Sequence, residues 1–331
     1  MSSNTTDPRE PMRRRLLERA LWGGVSLAVG ALGIAPMQGA LAQTHVKTLR
    51  IGYQKYGTLV LLRARGTLEK RLADQGIAVT WLEFPAGPQL LEALNAGAID
   101  FGTVGETPPI FAQAAGVDFV YVANEPPAPK SEAILVPRHS PLTSVSQLRG
   151  KKVALNRGSN VHYLLVRALK QAGLDYTDIH PVYLAPADAR AAFTQGGIDA
   201  WVIWDPYFAA IEQHTEVRVL ADGTGLVDNL QFYLASRRFA TAAPHVVQAV
   251  IDSLAQLDAW AKTHPDEIAR ELAPITGLDV ATLAVAARRA SYGVAQVNAP
   301  VLAGQQTIAD TFSELKLIPK PIAVNDAQWL A

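Results

Sequence analysis

The 331-residue chain contains no cysteine. That removes disulfides, thiol catalysis, thiolate metal ligation and a cysteine-linked lipid anchor in one step, and leaves stability to a packed core. Charge of one sign is missing too: 30 Lys and Arg balance 30 Asp and Glu, so nothing draws the chain to nucleic acid or an anionic membrane. The 7 His show no H-E-x-x-H or similar ligand spacing, and no G-x-S-x-G elbow occurs. No metal, no cofactor and no enzymatic activity are expected.

Long apolar runs are also absent. The stretch at 21–35 is shorter than the ~20 residues a bilayer-spanning helix needs. It follows Arg13, Arg14 and Arg15 and precedes Ala40-Leu41-Ala42, which is the order of a secretory signal peptide. Residues 1–42 are therefore expected to be an export leader, by the Sec or the twin-arginine route. The remaining 289 residues carry 25 basic and 27 acidic groups and fit two domains of ordinary size.

What is present is a repeat. Residues 85–101 (PAGPQLLEALNAGAIDF) align without a gap on 184–200 (LAPADARAAFTQGGIDA), 99 positions later. Two copies at so long a period argue for paired α/β lobes rather than a solenoid, and paired lobes imply a cleft. The patterning agrees. Strands at 48–52, 77–83, 101–104 and 119–123 alternate with helices at 58–70, 89–95 and 108–115. The Pro-rich segment 124–130 then marks a stiff boundary. Beyond it, strands at 133–137, 152–155, 179–183, 200–203 and 217–220 alternate with helices at 144–148, 160–172, 187–194 and 206–214. A strand at 232–236 leads back to the first lobe, and helices at 246–263, 265–276, 279–290 and 299–315 are expected to clothe it. The fold class is α/β, with two lobes of mixed sheet flanked by helices.

Ligands of such sheets sit beyond the carboxyl ends of strands, where helix N-termini offer unpaired N–H groups and the positive end of the helix dipole. Turns at 54–58, 87–89, 105–108, 158–160 and 204–206 occupy that place. An anion is the expected guest. One helix end contributes roughly 0.3–1 kcal/mol whereas micromolar binding takes about 8 kcal/mol, so several ends must act together.

The segments FPAGPQLLEALNAGAIDFG, TPPIFAQAAG, YVANEPPAPKSEAILV, GKKVAL with GSN, VYLAPADARAAF and DAWVIWDPY resemble the aliphatic sulfonate-binding proteins of bacterial ABC importers, within the wider group that binds taurine, nitrate and sulfonates. The resemblance implies a type II periplasmic binding protein fold, hinged near 132–135 and 232–236. Lobe 1 would be 43–131 plus 237–331, and lobe 2 would be 132–236. It also implies a periplasmic monomer that captures an alkanesulfonate and delivers it to ABC permease subunits in the inner membrane. A sulfonate is permanently ionised and its three oxygens only accept, which suits a site made of donors.

Gln54, Gly87, Gln89, Thr107, Gly158, Ser159 and Asn160 are the candidates for the head group, with Trp204 along the organic tail. Asp205 is open between contacting a substrate amine and capping its helix, and His162 between contact and packing. Arg288 and Arg289, ahead of Ser291-Tyr292-Gly293, resemble a family segment near the cleft, with Arg288 the candidate and Arg289 its alternative. Glu106 departs from the family pattern, which more often has Asp there. Taurine, nitrate or another small solute is the alternative guest. A cleft hydrolase using two of Asp100, Asp199, Glu106 and Asp205 is the more distant alternative, and against it Asp100 and Asp199 occupy matching repeat positions that turn chemistry explains.

Overall fold

The computed structural model describes residues 46–330, so the expected leader lies outside the described residues. The chain opens with β1 (Thr48–Tyr53), α1 (Gly57–Arg65), α2 (Thr67–Ala73), β2 (Ala78–Glu83), α3 (Gly87–Asn95), β3 (Phe101–Gly105), α4 (Pro108–Ala114) and β4 (Phe119–Asn124). It crosses into β5 (Glu132–Pro137), then β6 (Lys152–Leu155), α5 (Asn160–Gln171), β7 (His180–Tyr183), α6 (Pro186–Thr194), β8 (Ala200–Trp204), α7 (Tyr207–His214) and β9 (Val217–Asp222). It returns through β10 (Gln231–Ser236) to α8 (Arg237–Ala242), α9 (Pro244–Ala261), α10 (Pro265–Thr276), α11 (Val280–Arg289), the two-residue β11 (Ala295–Gln296) and α12 (Ala299–Glu314).

The repeat is visible as topology. One sheet has the order β11-β4-β10-β3-β1-β2 and the other β9-β5-β8-β6-β7, so apart from β11 the two share one plan. In each, the strand beside the central one arrives from the other half: β10 runs antiparallel between β3 and β4, and β5 antiparallel between β8 and β9. Asp100 and Asp199 do the same local work. Asp100 accepts the Arg50 N–H at 3.1 Å and Asp199 the Lys152 N–H at 2.8 Å, each tying the turn before one strand to its parallel neighbour. Turn chemistry explains both, and neither lines the cleft.

Three expectations need correction. The helix foreseen at 58–70 breaks at Gly66, whose left-handed φ of 60° closes α1 by turning its N–H onto Leu62 and Arg63 carbonyls. The strand expected at 232–236 counts with the second lobe in the sequence reading, yet β10 has its ladder partners in the first sheet. Last, α11 does not simply clothe the first lobe. It packs on α10 behind and on α7 of the second half in front.

Two apolar clusters hold the halves. One fills the face of the first sheet beneath α1, α9 and α10 with Leu59, Leu62, Val250, Leu254 and Leu272. The other runs from Leu90 and Ile110 on the opposite face through Phe312 into Leu164 and Trp201 of the second half. Full burial of such side chains stabilises by roughly 1.5–3 kcal/mol each. Trp201 is core, 1% exposed and 5.9 Å from the Phe193 ring. Among the described residues no helix is long and apolar enough to cross a membrane.

Candidate functional site

A cleft of about 1030 Å³, counting its open mouth, lies between the halves and is lined by residues of both. Five helices begin at its edge. Of these, α4 starts on Pro108 and Pro109, which have no N–H, and α7 has its first turn taken by Asp205. That leaves three, starting at Gly57, Gly87 and Asn160. None of the three has a side chain capping its first turn or an acid in it. By contrast α8, α11 and α12 are capped by Ser236, Asp279 and Asn298. The N–H groups of the cleft-facing ends are thus left for an acceptor that arrives from outside, and their dipoles favour a negative one.

Close approach shapes the cleft. A Cβ on Gly105, at the end of β3, would meet Asn160 Oδ1 at 2.0 Å, and one on Gly87 would meet the Pro108 ring at 2.7 Å. Asn160, from the second half, therefore occupies space that only glycine leaves free in the first. Its Nδ2 donates to Asn229 Oδ1 at 2.5 Å and its Oδ1 accepts the Thr107 N–H at 3.4 Å. Asn229 in turn donates to the Ala128 carbonyl, 2.9 Å away, so one side chain ties α5 to both crossings.

The sequence-derived residues divide. Gln54, Gly87, Ser159, Asn160, Trp204 and Asp205 line the cleft. Gln54 is 3% exposed and already donates to the Thr103 carbonyl at 3.1 Å. Ser159 turns its hydroxyl onto the Asn156 carbonyl at 2.7 Å, bracing the turn. Thr107 is fully buried behind Asn160, Gln89 stands outside the lining, and the Gly158 N–H is taken by His162 Nδ1 at 3.2 Å. All three are displaced from the expected role: Asn160 stands between Thr107 and the cleft and His162 takes the Gly158 donor, while Gln89 lies on α3 away from the lining. Arg288 is displaced too: it is exposed and pairs with Asp266 at 2.5 Å, outside this cleft.

Arg289 points the other way. It crosses from α11 to the second half, bonding Glu212 at 2.5 Å, approaching Asp205 Oδ1 at 3.5 Å and lying 4.1 Å over the Phe208 ring. With Ser131 donating to the Arg289 carbonyl at 2.8 Å and His214 meeting Asp279 at 3.0 Å, it clasps the halves together. His162 packs rather than contacts the cleft, among Phe111, Phe312 and Tyr176, with burial pushing it down to about 3 so that it stays neutral.

Carboxylates are present as well. Asp205 accepts the Ala209 N–H at 2.9 Å, capping α7 as one alternative held, and burial pushes it up to about 7 against the pull of Arg289. Glu106 occupies the matching repeat position, accepts the Leu230 N–H at 2.9 Å, and is likewise raised to about 7 by burial. Glu132, at the start of β5, is fully buried, and burial followed by the nearby charge of Glu106 raises it well above its usual range. Glu125 lines the cleft, raised by burial and by Asp258, with Tyr233 donating to it at 2.6 Å. Desolvation is first in every case, which favours neutral acids over buried charges.

Sequence reasoning missed Tyr56, Asn229, Gln231 and Tyr292, and the Ala286, Ala287 and Ala290 face of α11, all of which line the cleft. The small residues recurring along 284–290 were a usable signal for close approach. Nothing local marks Asn229 as a partner of Asn160.

A two-sheet chain with one crossing strand entering each sheet, and a cleft between them fringed by open helix ends, is a solute-binding protein in architecture. The NMT1/THI5-like family profile matches residues 72–268. The chain is 46% identical to an aliphatic sulfonates-binding protein of Escherichia coli (strain K12), over 96% of this chain and 97% of that one. The alkanesulfonate-binding protein of Xanthomonas axonopodis pv. citri, solved with MOPS bound, superposes with a TM-score of 0.82 at 45% identity, covering 86% of this chain and 99% of that one. The periplasmic aliphatic sulphonate-binding protein of Escherichia coli superposes at 0.78 and 48%, covering 86% and 92%. The chain belongs to the NMT1/THI5-like family and, within it, to the aliphatic sulfonate-binding proteins.

Proposed function

We propose that this protein captures an aliphatic sulfonate in the cleft between its lobes and delivers it to an ABC importer in the inner membrane, working as a periplasmic monomer without catalysis. The observation that carries the reading is the convergence of three uncapped helix ends, at Gly57, Gly87 and Asn160, on one cleft. Its relatives' names support it, as does the MOPS held by the Xanthomonas protein, since MOPS is itself a propanesulfonate. The lobes are read as residues 43–131 with 231–331 and 132–230, so that β10 counts with the first.

On this reading the sulfonate oxygens take the free N–H groups of α1, α3 and α5, with the Asn160 amide and the Ser159 turn beside them. Trp204 and the alanine face of α11 enclose the carbon chain. Closure brings Asn160 against Gly105 and Arg289 onto Glu212, so the liganded state is the clasped one. A melting-temperature panel tests this, because a ligand at 100 times its Kd adds about 2.7 kcal/mol. Short alkanesulfonates should raise the midpoint and nitrate or sulfate should not. A response to nitrate alone would refute the assignment.

A further inference from the structure

His162 is not on the cleft wall, yet it holds the residue just ahead of Ser159 and Asn160, which are. It sits in the first turn of α5, fully buried, its ring centroid 5.8 Å from Phe111 and 5.0 Å from Phe312. Its Nδ1 meets the Gly158 N–H at 3.2 Å and its Nε2 meets Tyr176 Oη at 3.0 Å. The first of these bonds fixes the proton. A backbone N–H can only donate, so Nδ1 carries the lone pair, Nε2 carries the hydrogen and Tyr176 accepts it. The Tyr176 proton is then left for Tyr183 Oη, also 3.0 Å away. Burial, and behind it the charge of Arg157, keeps the ring neutral. A second proton on Nδ1 would set two donors face to face.

Gly158 opens the turn into α5. Its φ is 73°, and a Cβ there would lie 3.1 Å from Phe111 Cγ, so the turn is reserved for glycine and pinned between Phe111 and His162. No side chain caps α5, and no described residue accepts the Asn160 N–H. His162 therefore ties down the entry to the helix without consuming the donor that faces the cleft. We propose that His162 is a positioning residue for anion binding: its Nδ1 lone pair holds the Gly158 turn, and through that turn the direction of the Asn160 N–H. This rests on the sulfonate reading above. A side chain that only packed would need no acceptor at that ring position, and an apolar one would suit the space beside Phe111 and Phe312 better than an amide.

His162→Asn and His162→Leu separate the two roles, because their side chains have the same branched shape and Asn places an oxygen where the ring has Nδ1. In titration calorimetry of the mature chain with propanesulfonate, the Asn variant should stay within about threefold of the wild type. The Leu variant should bind at least about tenfold more weakly, the cost of a buried N–H left without its acceptor. A packing role alone predicts the reverse order, with Leu at or above Asn. Nitrogen resonances of His162 in the labelled wild type give a reading that needs no variant to fold: Nδ1 should be unprotonated and coupled to the Gly158 amide nitrogen across the hydrogen bond. Leu binding as tightly as Asn, or a protonated Nδ1, would overturn the positioning role and leave the sulfonate reading standing. A wild type that binds no propanesulfonate would bring both down.

Discussion

The two halves of this molecule share a plan and differ in how they end their strands. In the first half β2 leads to Gly87, a helix start with a free N–H and no acid in the first turn. Its counterpart 99 residues on is Pro186, which has no N–H, followed by Asp188 in the first turn. One copy presents a positive end to the cleft, and the other has neutralised it. Gly105, where Asn160 enters, corresponds to Trp204, which walls the cleft. Glu106 and Asp205 stay alike in burial and in titration, but among the described residues only Asp205 has an arginine beside it. The repeat therefore explains the frame, while the divergence between matched positions falls where the binding chemistry is proposed.

That comparison is open to attack at several points. The largest effect concerns the matched carboxyls. Both keep a proton in the folded chain that the unfolded chain releases near pH 4, so the stability they carry is full below about pH 4 and is lost as pH rises through about 7. The loss is on the order of 3 kcal/mol per group. Denaturant melts at about pH 5 and pH 8 should show it, and Glu106→Gln with Asp205→Asn should reduce the difference, the remainder coming from Glu125 and Glu132. An unchanged slope in the double variant would mean the two acids are ionised.

Asp100 and Asp199 come next. Asp100 holds its strand and also takes Arg50 through Nε at 2.8 Å and Nη2 at 2.6 Å, whereas Asp199 has only the Lys152 N–H. Asp100→Ala should cost about 2–3 kcal/mol of unfolding free energy and Asp199→Ala about 1. Equal costs would break the asymmetry. Gly105→Ala should displace Asn160 and weaken sulfonate binding about 10–100-fold, in line with 1–3 kcal/mol for overpacking, with melting temperature little changed in the ligand-free chain. The smallest effect belongs to Ser159→Ala. Since its hydroxyl braces the Asn156 carbonyl, loss of affinity should stay within about tenfold, the range of one neutral hydrogen bond.

Much of the fold was legible because it is written in short periods. The repeat, the alternation of strand and helix, and the Pro-rich crossing are local patterns, and the topology reproduces them. Gly87, Ser159 and Asn160 were legible for the same reason, as small or polar residues at strand-to-helix turns. What was hidden depends on rotation and distance. Adjacent helical residues point about 100° apart, so Arg288 and Arg289 cannot be told apart until α11 is docked on α7. The Gly158 N–H reads as free until His162 swings back to take it, and Asn229 matters only because Asn160 reaches it across 69 residues.

The central claim is that amide hydrogens at the open helix ends hold the anion. Amide resonances of the isotope-labelled mature chain, followed while propanesulfonate is added, test it most directly. Those of Gly57, Thr58, Gly87 and Asn160 should shift together to saturation, while those of Ala187 and Asp188, at the matching end that Pro186 closes, should stay in place. Movement confined to α6, or saturable binding that leaves all four first-named amides unmoved, would contradict the account.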